Sequence, residues 1–188
     1  MTNIIDKRCV DTVYITPDRI LDPVRKFFGG CIPLDAATEP NNPTKADRFY
    51  TEEDNGLERF WCMEGTFLNP PYGKVLQEWT KKINLEVHLG VPLVALLPGQ
   101  RFETAYWQEN ILVDKLDAIV FIRRRVPFFR PDGTLAKSNP YGSMLYIYNT
   151  IGLNVVRTTG NLWIEECFLE LGKICFPKFH PSSWNTRR

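Results

Sequence analysis

The sequence predicts an α/β fold on a mostly parallel sheet, with an antiparallel hairpin at its end. Three observations carry that expectation. Short apolar runs, Gly65 to Leu68, Val91 to Leu97 and Asp117 to Ile122, alternate with longer segments whose apolar residues fall at helical spacing. The run 91–97, bounded by Gly90 and Pro98, is nearly all apolar, as a central parallel strand covered on both faces must be. Gly142 to Tyr148 then reads as a strand returning beside its predecessor.

Along the chain, Thr16 is a good N-cap and Pro17 suits the first helical position. Ile20, Leu21, Val24, Phe27 and Phe28 follow at helical spacing until Gly29-Gly30 ends the pattern. Cys31 to Asp35 reads as the first strand, ending in Asp35-Ala36-Ala37-Thr38. Small residues there let a ligand approach the backbone, and a carboxylate at a strand end can accept a hydrogen bond from an ammonium group. It can equally cap a helix, and no Gly-x-Gly is present. Prolines and asparagines make 38–48 a loop, long enough to be functional. After the acidic run 52–54, Leu57, Phe60 and Trp61 predict a short helix. Asp54 either charges its first turn or contacts a ligand.

The chain is organised around Leu68-Asn69-Pro70-Pro71-Tyr72-Gly73, which joins a buried strand to a helix over Lys74 to Leu89 with Val75, Leu76, Trp79, Ile83 and Val87 on its apolar face. The prolines fix φ at 70 and 71 and push the residues before them to extended geometry. Such a turn offers the Asn69 side-chain oxygen and the Pro70 carbonyl side by side, with the Tyr72 ring as a flat surface, which suits a planar group bearing an amine. Lys74 follows at the mouth. Farther on, Arg123-Arg124-Arg125-Val126-Pro127-Phe128-Phe129-Arg130 bends at Pro131-Asp132-Gly133 into a hairpin arm. Its arginines can neutralise phosphates and its rings can stack on unpaired bases, or the rings alternate into the core of a solvated edge. Gly152 to Thr158 is read as one more strand, 162–171 mixes helix and strand signals, and the end carries Lys178, His180, Arg187 and Arg188.

Composition bounds the rest. A chain of 188 residues, 44% hydrophobic and 24% charged, is expected to form one globular domain. Its net charge of +1 leaves phosphate affinity to the distribution of charge, not its total. Five scattered cysteines without a C-x-x-C pair and two isolated histidines argue against structural zinc. With no signal peptide and no apolar run near ~18 residues, a reduced cytoplasmic compartment is expected.

Asn69-Pro70-Pro71-Tyr72 after a strand resembles the catalytic motif of amino-group methyltransferases that use S-adenosylmethionine. The surrounding chain is more narrowly similar to the phage DNA N-6-adenine methyltransferase (Dam) family. The similarity rests on Thr16-Pro17, Phe28-Gly29, Leu34-Asp35-Ala36-Ala37, Phe49-Tyr50-Thr51, Asp54-Asn55-Gly56-Leu57, Trp61, 67–73, Leu96-Leu97-Pro98 and Trp107, in that order over roughly residues 12 to 148.

The resemblance implies a Rossmann-like S-adenosylmethionine-dependent methyltransferase fold. Length predicts a single domain, 1–188, and because no insertion large enough for a separate target-recognition domain is visible, loose sequence specificity is expected. The resemblance also implies catalysis by Asn69, Pro70, Pro71 and Tyr72 on the N6 of a flipped-out adenine, and a cofactor site at Thr16, Pro17, Asp35, Ala36 and Asp54. DNA contacts are expected at Lys74, Arg123, Arg124, Arg125 and Arg130. No metal, membrane or obligate protein partner is implied, and the expected setting is the cytoplasm of a bacterial host, with a phage or prophage origin. Two alternatives stay open: the same chemistry on RNA or a protein glutamine, since Asn-Pro-Pro-Tyr occurs there too, and an inactive DNA- or cofactor-binding protein of the same fold. Asn69→Ala and Tyr72→Ala are each expected to abolish activity with the thermal melt nearly unchanged.

Overall fold

The apolar periodicities of the sequence become two helical layers on either side of one sheet. The computed structural model describes residues 14–99, 102–130, 132–136, 142–150, 153 and 161–177. Helix α1 (Asp18–Phe27) buries Ile20, Leu21, Val24 and Phe27. It starts one residue later than the sequence suggests, with Pro17 at the N-cap and no side-chain cap. The Thr16 hydroxyl, one residue before that cap, accepts a hydrogen bond from Asn69.

Among the described residues seven strands form the sheet: β1 (Leu34–Asp35), β2 (Arg48–Phe49), β3 (Thr66–Leu68), β4 (Leu93–Pro98), β5 (Leu116–Ile122), β6 (Ser143–Tyr148) and β7 (Gly172–Cys175), in the order β2-β1-β3-β4-β6-β5-β7. Among the described residues the remaining α-helices are α2 (Leu76–His88), α3 (Ala105–Asn110) and α4 (Asn161–Phe168).

Period-two alternation in the central strands sorts the core into two halves. Val94 and Leu96 of β4, with Leu145 and Ile147 of β6, pack under α1 and α4. Leu93, Ala95 and Leu97 of β4, with Met144, Tyr146 and Tyr148 of β6, pack under α2 and α3. Both strands are therefore buried on both faces.

The sheet is mixed, which corrects the mostly parallel expectation. β2, β1, β3 and β4 pair in parallel, whereas β4 with β6, β6 with β5, and β5 with β7 are antiparallel. The reason is topological: β6 inserts between β4 and β5, so β5 points the same way as β4 without being its neighbour. The antiparallel pairing of β5 and β6 is as expected, but β7 adds an outer strand on the far side of β5. Apolar patterning specifies burial, not the neighbour a strand takes.

The short helix expected around Leu57 to Trp61 is also overturned, since Leu57 and Glu58 lie in a turn, Arg59 in a bend, and Phe60 and Trp61 in irregular chain. Asn55 has a φ of 54° and Phe60 is 85% exposed, so both the left-handed backbone and the outward ring are incompatible with an amphipathic helix. The segment 162–171 resolves into α4 and the turn leading to β7. Residues 152, 154–158 and 178–188, which carry the expected extra strand and the basic end, lie outside the described residues. Among the described residues no helix is long and apolar enough to cross a membrane.

Candidate active site

Because β1 to β5 all point one way, the residues after β1, β3 and β5 emerge at the same edge of the sheet. A cleft of about 500 Å³ opens there, between the end of β1, the turn after β3 and the segment before α1, a volume suited to a cofactor-sized ligand. Asp35, Thr16, Asn69, Pro70 and Pro71 all line it. Its floor is set by a close backbone approach: a Cβ on Gly56 would lie 2.1 Å from the Ala36 carbonyl oxygen. Only glycine lets the loop 51–61 lie against the end of β1. Trp61 fastens that loop by donating its indole N–H to the Gly56 carbonyl at 3.0 Å.

Asn69 follows β3 directly. Its side-chain nitrogen donates to the Tyr14 carbonyl at 3.1 Å and to the Thr16 hydroxyl at 3.0 Å. A carbonyl can only accept, so the nitrogen must face Tyr14 and the orientation of the amide is settled. The side-chain oxygen, Oδ1, is buried and has no hydrogen-bond partner. An acceptor in that state forfeits about 1–3 kcal/mol and gains from any donor brought to it.

Asp35, at the end of β1, is 1% exposed. Its carboxylate accepts from the Thr44 hydroxyl at 2.8 Å and from the Ala37 backbone N–H at 3.2 Å. Burial pushes its pKa from 3.8 up to about 7, while the hydrogen bonds from Thr44, Ala37 and Thr38 pull it part of the way back. A cation placed beside it would restore the charged form.

Other residues singled out from the sequence are placed differently. Pro17, Ala36 and Asp54 do not line the cleft, but Thr16, Ala37, Glu53 and Asn55 beside them do. The Asp54 carboxylate accepts from the backbone N–H and the hydroxyl of Thr51, at 2.9 and 2.8 Å, and these bonds hold its pKa below the usual range. Tyr72 turns away from the cleft lining. Its ring centroid is 6.2 Å from that of Tyr14 and 6.3 Å from that of Phe128, its hydroxyl approaches the Leu96 carbonyl at 3.5 Å, and burial raises its pKa well above the ordinary phenol.

Lys74 is exposed between the lining residues Pro71 and Val75. Arg123, Arg124 and Arg125 are exposed just past β5. The hairpin arm forms as expected, with Phe129 bridged to Leu135 and the Arg130 N–H donating to the Thr134 carbonyl. Phe128, however, is 3% exposed in the core and unavailable to a base. The Arg130 guanidinium donates to the Thr134 hydroxyl and the Leu135 carbonyl, bracing the turn.

Sequence reasoning missed Tyr14, Thr44 and Trp79 as lining residues. Trp79 carried only a core signal, Thr44 lay in a loop noted for its length, and nothing local distinguished Tyr14.

A family model for DNA N-6-adenine-methyltransferase (Dam) matches residues 5–162. The chain belongs to the Dam family. A Dam chain acts as a methyltransferase on adenine in DNA, so its substrate is a polyanion carrying a poorly nucleophilic exocyclic amine. A search of curated proteins finds no relative that matches this Dam chain.

Proposed function

We propose that this Dam chain transfers a methyl group from S-adenosylmethionine to the N6 of an adenine flipped out of DNA, with cofactor and base meeting between Asp35 and Asn69. The observation that carries this reading is the buried, partnerless Oδ1 of Asn69 in a residue lining the cleft. The adenine amine is a donor of the kind that oxygen lacks.

The cleft also fits the cofactor. Its lining holds the carboxylates of Asp35, Glu39, Glu52 and Glu53 and, among the described residues, no lysine, arginine or histidine. That balance favours a ligand with positive charge, as the sulfonium and ammonium of S-adenosylmethionine provide. Asp35 accepts from the ammonium, with Thr16 and Pro17 beside the methionine end, while Leu57, Val75 and Trp79 give apolar surface to the remainder. Ala36 keeps the strand end narrow, and Asp54 shapes the Thr51 turn next to the adenosine. When bound, the cofactor supplies an electrophilic methyl group.

Asn69 Oδ1 and the Pro70 carbonyl take up the two N–H groups of the amine. As the nitrogen acquires positive charge in the transition state, these fixed acceptors stabilise it, on the order of 3 kcal/mol or a hundredfold in rate for one contact. Pro71 holds the turn extended and Tyr72 supports it from the protein side. A strong base is unnecessary, because the methylated ammonium is acidic enough to give its proton to water. An adenine inside a duplex cannot reach this depth, hence the flipped base. Lys74 and Arg123 to Arg125, exposed along the same sheet edge, meet phosphates.

The test is transfer of labelled methyl from S-adenosylmethionine to unmethylated DNA, RNA and protein fractions, beside calorimetry with the cofactor. Label in DNA, abolished by Asn69→Ala, is expected. Label confined to RNA or protein would overturn the DNA assignment, and absence of binding heat would overturn the cofactor.

A further inference from the structure

We infer that the Tyr14 carbonyl and the Thr16 hydroxyl are positioning groups that set the Asn69 carboxamide, and that the site is thereby built for asparagine and rejects aspartate. The inference rests on the reading of Asn69 proposed above.

A carboxamide has two N–H donors, and both are used here, one on Tyr14 at 3.1 Å and one on Thr16 at 3.0 Å. A 180° flip would set oxygen against the Tyr14 carbonyl oxygen, a contact with no proton to share. The rotamer is thus held before any base arrives, and the oxygen is the atom left over. Thr16 is 4% exposed, so its hydroxyl is shielded from the bulk water that would otherwise compete.

The positioning segment is itself anchored from afar. Ile15 donates its N–H to the Phe129 carbonyl at 2.8 Å and accepts from the Phe129 N–H at 3.2 Å. The Tyr14 ring packs 5.6 Å from Phe128 and 6.2 Å from Tyr72. The arm after β5 therefore grips both sides of the Asn69 contact: the segment that orients it and the tyrosine of its own turn.

Aspartate would present a second oxygen to the Tyr14 carbonyl. Only its protonated form can donate there and leave the other oxygen as an acceptor, and the apposed carbonyl and burial raise the pKa at which that form persists.

Four chains decide the matter: wild type, Thr16→Val, Thr16→Ser and Asn69→Asp. Two readouts are taken: single-turnover methyl transfer to unmethylated duplex DNA at saturating cofactor, and solvent exchange of the Asn69 side-chain amide protons by NMR. Thr16→Val should lower the rate about tenfold, as expected for loss of one such hydrogen bond, and Thr16→Ser should restore it. In Thr16→Val one Asn69 amide proton should exchange fast, whereas in wild type both exchange slowly. The Asn69→Asp rate should climb as pH falls from about 8 to about 5.5, a trend that wild type does not share. Thr16→Val with a wild-type rate and two slow amide protons, or an Asn69→Asp rate that does not climb toward acid pH, overturns the inference. A wild-type chain that methylates no DNA would sink the reading of the site, and the amide exchange would still decide the orientation.

Discussion

Asp35→Asn makes the sharpest test of the cleft's electrostatics, because it removes a titrating group while keeping the side chain's shape. The carboxyl is 1% exposed and its pKa is raised by burial from 3.8 to about 7. In the interval between those values the folded chain holds a proton that the unfolded chain has lost. Stability therefore falls as pH rises through the interval, and above about 7 the full cost of a buried charge is present. Linkage gives a limiting slope of about 1.4 kcal/mol per pH unit and a ceiling of about 4 kcal/mol.

The asparagine variant retains an acceptor for the Ala37 N–H and a polar atom for Thr44, and it has no such slope. Urea unfolding of both proteins, unliganded, from about pH 5 to about pH 8 should show the variant gaining on wild type as pH rises. Titrations common to both chains cancel in the difference. In wild type, S-adenosylmethionine affinity should increase toward pH 7 and then level, because its ammonium needs the ionised carboxylate. A stability difference constant across this range would refute the assignment of a buried, neutral Asp35.

Tyr72→Ala should abolish methyl transfer and also lower stability, by about 2–4 kcal/mol in urea melts, since the ring packs on Tyr14 and Phe128. This replaces the expectation of an unchanged melt. Gly56→Ala should cost about 3 kcal/mol and weaken cofactor binding by calorimetry, because the new methyl meets the Ala36 carbonyl oxygen and lifts the loop off β1. Replacing Arg123, Arg124 and Arg125 by alanine should leave the melt within about 0.5 kcal/mol and flatten the salt dependence of DNA binding. The log–log slope should fall by about 0.9 for each phosphate that is no longer neutralised, read by fluorescence anisotropy across a salt series.

Helix α1, the strands β3, β4 and β5, the turn at Pro70-Pro71 and the strand-end carboxylate Asp35 are readable without coordinates. Each follows from local causes: side-chain spacing on a helix or strand, proline's fixed φ, and small residues at a strand end. Those same causes are what make the Asn69 turn a candidate amine receptor, the role proposed for it above.

What local causes could not decide is which groups meet. Asn69 and Thr16 are 53 positions apart, and their contact exists because the Ile15–Phe129 pairing carries the chain start past the turn. The insertion of β6 between β4 and β5 makes the sheet mixed, and the packing of Tyr14 and Phe128 draws Tyr72 inward, leaving the cleft to acidic residues and Trp79. Strand neighbours and side-chain facing are settled by the burial of remote surfaces against one another, and no window of adjacent residues contains that energy.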